Sequence, residues 1–201
     1  AALQTLPATD TTALKADLDA ALARLDAAEA DATTRAAEAE VAAANATRDQ
    51  ALRALTEAIA EGHPFAAELQ ALADPALDAV LGPMADTGAP TLAALQSSFP
   101  DAARETLRLS RDISAEDGWT DRLLDFLADQ TEARSLTPRD GNDPDAILSR
   151  AEFALSEARV ADALTELAAL DPAIAGPLAT WTDTANRYLA VQTALAAAKG
   201  E

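Results

Sequence analysis

Apolar positions recur at three- and four-residue steps along the first third of the chain. Leu18, Leu22, Leu25, Ala32, Ala36, Ala39, Ala43 and Ala46 form one line, interrupted once by Glu29. That spacing is a heptad seam, the pattern of a helix that packs along another helix. Leu52, Leu55 and Ile59 continue the line after a shift of register, which reads as a stutter. Asp19, Arg24, Asp26, Glu38, Glu40 and Arg48 lie across from the seam. Neither glycine nor proline falls between Ala8 and Glu61, so the pattern predicts one helix about 80 Å long at 1.5 Å per residue. Gly62, followed by His63 and Pro64, ends it.

A helix of this length cannot bury its stripe against itself. It needs a partner helix, from the rest of the chain or from a second copy. Two readings compete: a self-associating coiled coil, and an alanine-rich linker. The leucine steps favour the coil. Alanine at the seam permits close approach but buries little area per step.

Beyond Gly62 the periods are shorter and proline sets the punctuation. Asp74-Pro75, Asp143-Pro144 and Asp171-Pro172 each put a capping carboxylate before a proline suited to the first helical position. Phe99-Pro100-Asp101 opens another helix in a similar way. The predicted helices fall near 64–73, 75–85, 90–98, 101–112, 116–132, 144–158, 160–170 and 172–198. Trp119, Leu123, Phe126, Leu127 and Gln130 share one face of the fifth. Ile174, Leu178, Trp181, Ala185, Tyr188 and Leu195 form a stripe along the last, so both tryptophans are expected in a core. The pair of helices between Ala151 and Pro172 has a tetratricopeptide-like layout, but no second copy follows at a fixed period. The fold class expected is all-α, a long N-terminal coiled-coil helix followed by a helical bundle. Its segments are 1–62 for the coil, 63–98 for an amphipathic connector and 99–201 for a C-terminal domain.

Composition narrows the function. Alanine fills 55 of 201 positions, and 34 acids against 15 bases give a net charge of −19. That charge argues against nucleic acid, whose phosphates require clustered Lys and Arg. Cysteine is absent and histidine occurs once, so no disulfide framework, thiol nucleophile or histidine metal site is expected. His63 sits in a turn, and no serine elbow or phosphate-cradling glycine loop accompanies it. The loop from Asp140 resembles a calcium loop only superficially: Asp145 falls where glycine is needed and Ala151 where a bidentate glutamate is needed. No cofactor, metal or catalytic residue is expected, and an enzyme is disfavoured. Acid is concentrated in the middle, where residues 63–146 hold 16 acids and 6 bases, net −10. The chain starts at Ala1 without a methionine, and it is expected to be part of a longer protein.

Two segments go beyond generic helix. One is Gly62-His63-Pro64-Phe65-Ala66-Ala67-Glu68-Leu69. The other is Arg134-Ser135-Leu136-Thr137-Pro138-Arg139, then Gly141, Asp143-Pro144-Asp145-Ala146 and Leu148-Ser149-Arg150-Ala151-Glu152. With Phe99-Pro100 and Gly118-Trp119, they make the whole chain resemble the bacterial branch of the mitofilin family. In mitochondria that family supplies the core subunit of the cristae-organising MICOS complex. One departure is visible, since Ser156-Glu157-Ala158-Arg159-Val160 stands where a glycine turn would be expected.

The resemblance implies a single-pass anchor upstream and a location on the periplasmic side of the bacterial inner membrane. It implies homo-oligomers formed through the coil and the terminal domain. It implies a structural role in shaping invaginated inner membrane and in contacting outer-membrane assembly proteins. Relatives carry membrane-binding helices between coil and domain, which correspond to residues 64–98. The candidate lipid faces are Phe65, Leu69 and Leu72 on one helix, and Leu77, Val80, Leu81 and Met84 on the next. No Lys or Arg occurs in 64–98, whereas interfacial helices carry several, so packing on the domain is the competing reading. The alternative function is a periplasmic adaptor that binds a partner protein without remodelling membrane. Its candidate loop holds Arg134, Leu136 and Arg139, with arginines that either meet a partner or pair with nearby carboxylates.

Overall fold

The computed structural model describes residues 8–116 and 141–200, with side chains from Thr11 to Ile113 and from Gly141 onward. The described residues form seven α-helices and no strand, so the fold is all-α. They are α1 (Ala8–Glu61), α2 (Ala66–Leu72), α3 (Pro75–Leu81), α4 (Leu92–Glu116), α5 (Pro144–Ser156), α6 (Val160–Leu167) and α7 (Ala179–Lys199). Short 3-10 turns at Gly82–Met84 and Gly176–Leu178 follow α3 and precede α7. The chain divides into two compact units, Ala1–Gln50 and Ala51–Glu201. The boundary falls inside α1, not at the helix end near residue 62 or the domain start at 99 expected from the sequence.

The second unit has two buried clusters. One gathers Leu95 and Phe99 of α4, the inner faces of α5 and α6, and Trp181 and Ala185 of α7. The other gathers Leu52, Leu55 and Ile59 of α1 with Phe65, Leu69, Leu72, Leu77 and Leu81, and with Val191 and Leu195 of α7. The last helix therefore serves both. The expected stripe of Ile174, Leu178, Trp181, Ala185 and Leu195 is buried, with Tyr188 half-buried, and Val191 completes it.

Directional contacts fix the first cluster. The Trp181 ring meets Phe99 edge-on, with centroids 5.0 Å apart and planes at 67°. Its indole N–H donates to the Leu95 carbonyl at 3.0 Å. The Gln96 amide nitrogen donates to the Leu155 carbonyl at 2.9 Å, tying α4 to the end of α5. Arg150 reaches Glu166 of α6 at 2.8 Å and the Gly141 carbonyl at 2.8 Å. No buried side-chain nitrogen or oxygen among the described residues lacks a partner.

Proline placement follows the expectation at two sites and departs from it at two. Asp74 caps α3, accepting from Ala76 at 3.0 Å, and Asp143 caps α5, accepting from Ala146 at 3.0 Å. Pro100 does not open a helix; it lies inside α4. Its missing N–H and its ring cost an interior helix about 3 kcal/mol. The buried face of Leu95, Phe99 and Thr106 runs straight through it. Burying Leu95 and Phe99 contributes about 1.5–3 kcal/mol each, enough to keep the helix whole. Asp171 accepts from Ala173 at 2.9 Å in a turn, but α7 starts only at Ala179, after the Gly176-Pro177 turn.

Helix ends fix the turns. Past Glu61, Gly62 takes a left-handed φ of 72°. The His63 N–H bonds the Ala58 carbonyl at 2.9 Å and the Gly62 N–H bonds that of Ile59 at 3.1 Å. This Schellman arrangement satisfies the end of α1. Gly88, itself at φ 87°, packs on Gly62 so closely that an added Cβ would overlap the Gly62 carbonyl oxygen. The expected glycine turn between α5 and α6 has the same form with alanine in the left-handed place. Ala158 has φ 61°, and Arg159 N–H bonds Ala154 at 2.8 Å.

Two substitutions check these turns by urea unfolding. Gly88→Ala is expected to destabilise by at least about 2 kcal/mol through overlap and backbone strain. Ala158→Gly is expected to stabilise by up to about 1 kcal/mol, because alanine's left-handed penalty exceeds glycine's entropic cost.

Candidate association surface

The two halves of the α1 stripe have different surroundings. In the first unit every side chain from Thr11 to Gln50 is exposed. Leu18 is 58% exposed, Leu22 49% and Leu25 54%, and Ala32, Ala36, Ala39, Ala43 and Ala46 follow along the same line. Leu14, one turn before Leu18, is 70% exposed and extends the seam. The four-residue step from Leu14 to Leu18 is the sequence signal for it. Val41, 61% exposed, lies off this line and instead leads in two heptad steps to Leu55.

Several polar side chains of this unit are engaged along their own helix. Thr33, Thr34 and Thr47 hydroxyls donate to the carbonyls four residues back, at 2.8, 3.0 and 3.0 Å. Arg35 pairs with Asp31, one turn earlier. Along the seam itself the surface offers apolar area, broken by Glu29. Pairing two copies covers eight leucines, four on each and each about half exposed, which supplies roughly 6–12 kcal/mol at about half of the 1.5–3 kcal/mol for full burial. Association costs about 4–15 kcal/mol, so the leucines alone bring pairing to the margin. Contact along the alanines decides the rest.

The second half of the stripe is a core. Leu52, Leu55 and Ile59 are 7%, 0% and 3% exposed, covered within the second unit. This corrects their assignment to oligomerisation: the register shift marks where α1 changes from an open seam to an internal one.

The candidate lipid faces are corrected in the same way. Phe65, Leu69, Leu72, Leu77 and Leu81 are all buried, and Val80 and Met84 pack half-buried against them. The Phe65 N–H also donates to the Ala85 carbonyl at 2.8 Å. These side chains close the cluster around the end of α1 and are not presented to a membrane in this structure. No described helix is long and apolar enough to cross a bilayer.

Several arginines of the second unit are held by carboxylates nearby. Arg108 bonds Glu105 at 2.6 Å and Asp112 at 3.0 Å, and Arg104 pairs with Asp101. The hydrogen bond from Arg108 holds the Glu105 carboxyl below the usual carboxylate range. Hydrogen bonds to Asp162 and Glu157 raise the Arg159 guanidinium further. The loop residues Arg134, Leu136 and Arg139 lie outside the described residues, as does the face carrying Trp119. Among the described residues no acidic or histidine cluster is arranged to hold a metal ion.

The chain matches no family model, no curated protein and no solved structure.

The contrast along α1 is measurable on two variants. Leu55→Ala is expected to cost about 2–5 kcal/mol of unfolding free energy through the cavity it leaves. Leu22→Ala is expected to stay within about 0.5 kcal/mol in dilute solution, because its side chain is half in water.

Proposed function

We propose that this chain is a structural scaffold that self-associates through the open seam of α1 and organises invaginated inner membrane. The single observation behind this is the row of exposed leucines and alanines from Leu14 to Ala46, on a helix whose next apolar stripe is already internal. The resemblance to the mitofilin family supplies the setting: the periplasmic side of the inner membrane, an anchor in the full protein, and outer-membrane assembly proteins as further partners. Its mechanism is mechanical, with paired helices setting the spacing of the membrane anchors. The proposal includes no catalytic step and no cofactor.

The adaptor reading draws on a separate observation. Phe65, Leu69, Leu77 and Leu81 are buried against their own chain, which supports a reading without direct lipid contact by these helices. A scaffold that works through its anchors, or an adaptor that binds only protein, both accommodate that burial.

Electron microscopy of cells lacking the gene separates them. The scaffold reading expects disturbed invaginations, restored by the natural protein but not by Leu18→Asp/Leu22→Asp/Leu25→Asp. Unchanged membrane morphology in the deletion strain would contradict it and leave the adaptor.

A further inference from the structure

We infer that the occupant of the open seam is the same seam of a second copy, running antiparallel, with its midpoint between Ala30 and Asp31. This rests on the self-association proposed above and adds its orientation and register. The distribution of side-chain size carries it. Leu18, Leu22 and Leu25 occupy the first half of the seam, and Ala36, Ala39 and Ala43 the second, all of them exposed.

Turned antiparallel about that midpoint, Leu18 faces Ala43 of the second copy, Leu22 faces Ala39, and Leu25 faces Ala36. Every such layer then joins one large and one small side chain, which keeps the helix axes evenly spaced. A parallel arrangement sets leucine on leucine in one half and alanine on alanine in the other. The axes would then need a wide separation followed by a narrow one.

Glu29 gives an independent reason. It is the one charged residue in the line from Leu18 to Ala46. Parallel and in register, it would face Glu29 of the other copy at a core position, where like charges are desolvated together. Antiparallel, it faces Ala32, and its carboxylate reaches water past a methyl group.

The exposed stretch from Thr11 to Gln50 offers about 60 Å of helix for such pairing. Strips about 60 Å long and about 10 Å wide on each helix cover on the order of 1,200 Å² in total, at the lower edge of stable interfaces.

Cross-linking tests the register directly, because the chain has no cysteine of its own. Leu25→Cys and Ala36→Cys are made separately, and circular dichroism confirms that each keeps its helix content. Each is treated alone and as an equal mixture, using a thiol cross-linker about 8 Å long to match close helix spacing. The mixture is expected to give at least tenfold more covalent dimer than either variant alone. Strong self-cross-linking of each single variant, or a dimer that cross-links in neither sample, would overturn the register while leaving self-association standing. A strict monomer by light scattering of the natural chain at high micromolar concentration would overturn both.

Discussion

A helix of 54 residues has more apolar length than it can cover by itself, and the architecture follows from how that length is divided. Helices in proteins draw most of their stability from packing an apolar face. Over its last turns α1 finds that packing inside its own chain, where Leu55 is fully buried. Over its first forty-odd residues the same chain supplies no cover. The change coincides with the register shift between Ala46 and Leu52. A stutter that in a continuous coil would only unwind the supercoil locally here separates two different partners for one helix.

The last helix joins the second unit together. Trp181 and Ala185 sit in one cluster, Val191 and Leu195 in the other. The indole hydrogen bond to Leu95 and the edge contact with Phe99 fix α7 against α4 just where Pro100 weakens the α4 backbone. At the opposite cluster, the approach of Gly88 to Gly62 sets the end of α1 against the segment after α3. Glycine is a steric requirement at position 88, and at 62 it relieves the left-handed φ that ends α1, which gives these two glycines a structural cause independent of any relative.

Much of the fold was legible because it rests on local chemistry. Asp74 and Asp143 cap as their Asp-Pro pairs predict, and Gly62 ends α1. The stripe containing Trp181 is buried because its three- and four-residue steps leave one consistent inner face. What failed to read was decided by tertiary contact. Pro100 looked like a helix start, yet Phe99 and Thr106 packed on either side of it hold the helix through. Asp171-Pro172 looked like a cap, yet Gly176-Pro177 interposes a turn before α7. Leu52, Leu55, Phe65 and Leu77 were recognisable as apolar faces, but periodicity does not say whether a face meets lipid, a second copy or its own chain. The seam itself was legible from Leu18 to Ala46, and exposure added Leu14.

The central claim is that one helix has two stripes with different partners, one internal and one supplied by another copy. Hydrogen exchange followed by mass spectrometry along α1, at several protein concentrations, tests it most directly. The account predicts that amides from Leu52 to Glu61 are protected equally at every concentration. It predicts that protection from Leu14 to Ala46 is weak in dilute solution and rises steeply as concentration increases. Protection of the first segment that stays the same at all concentrations, whether high or low, would contradict it.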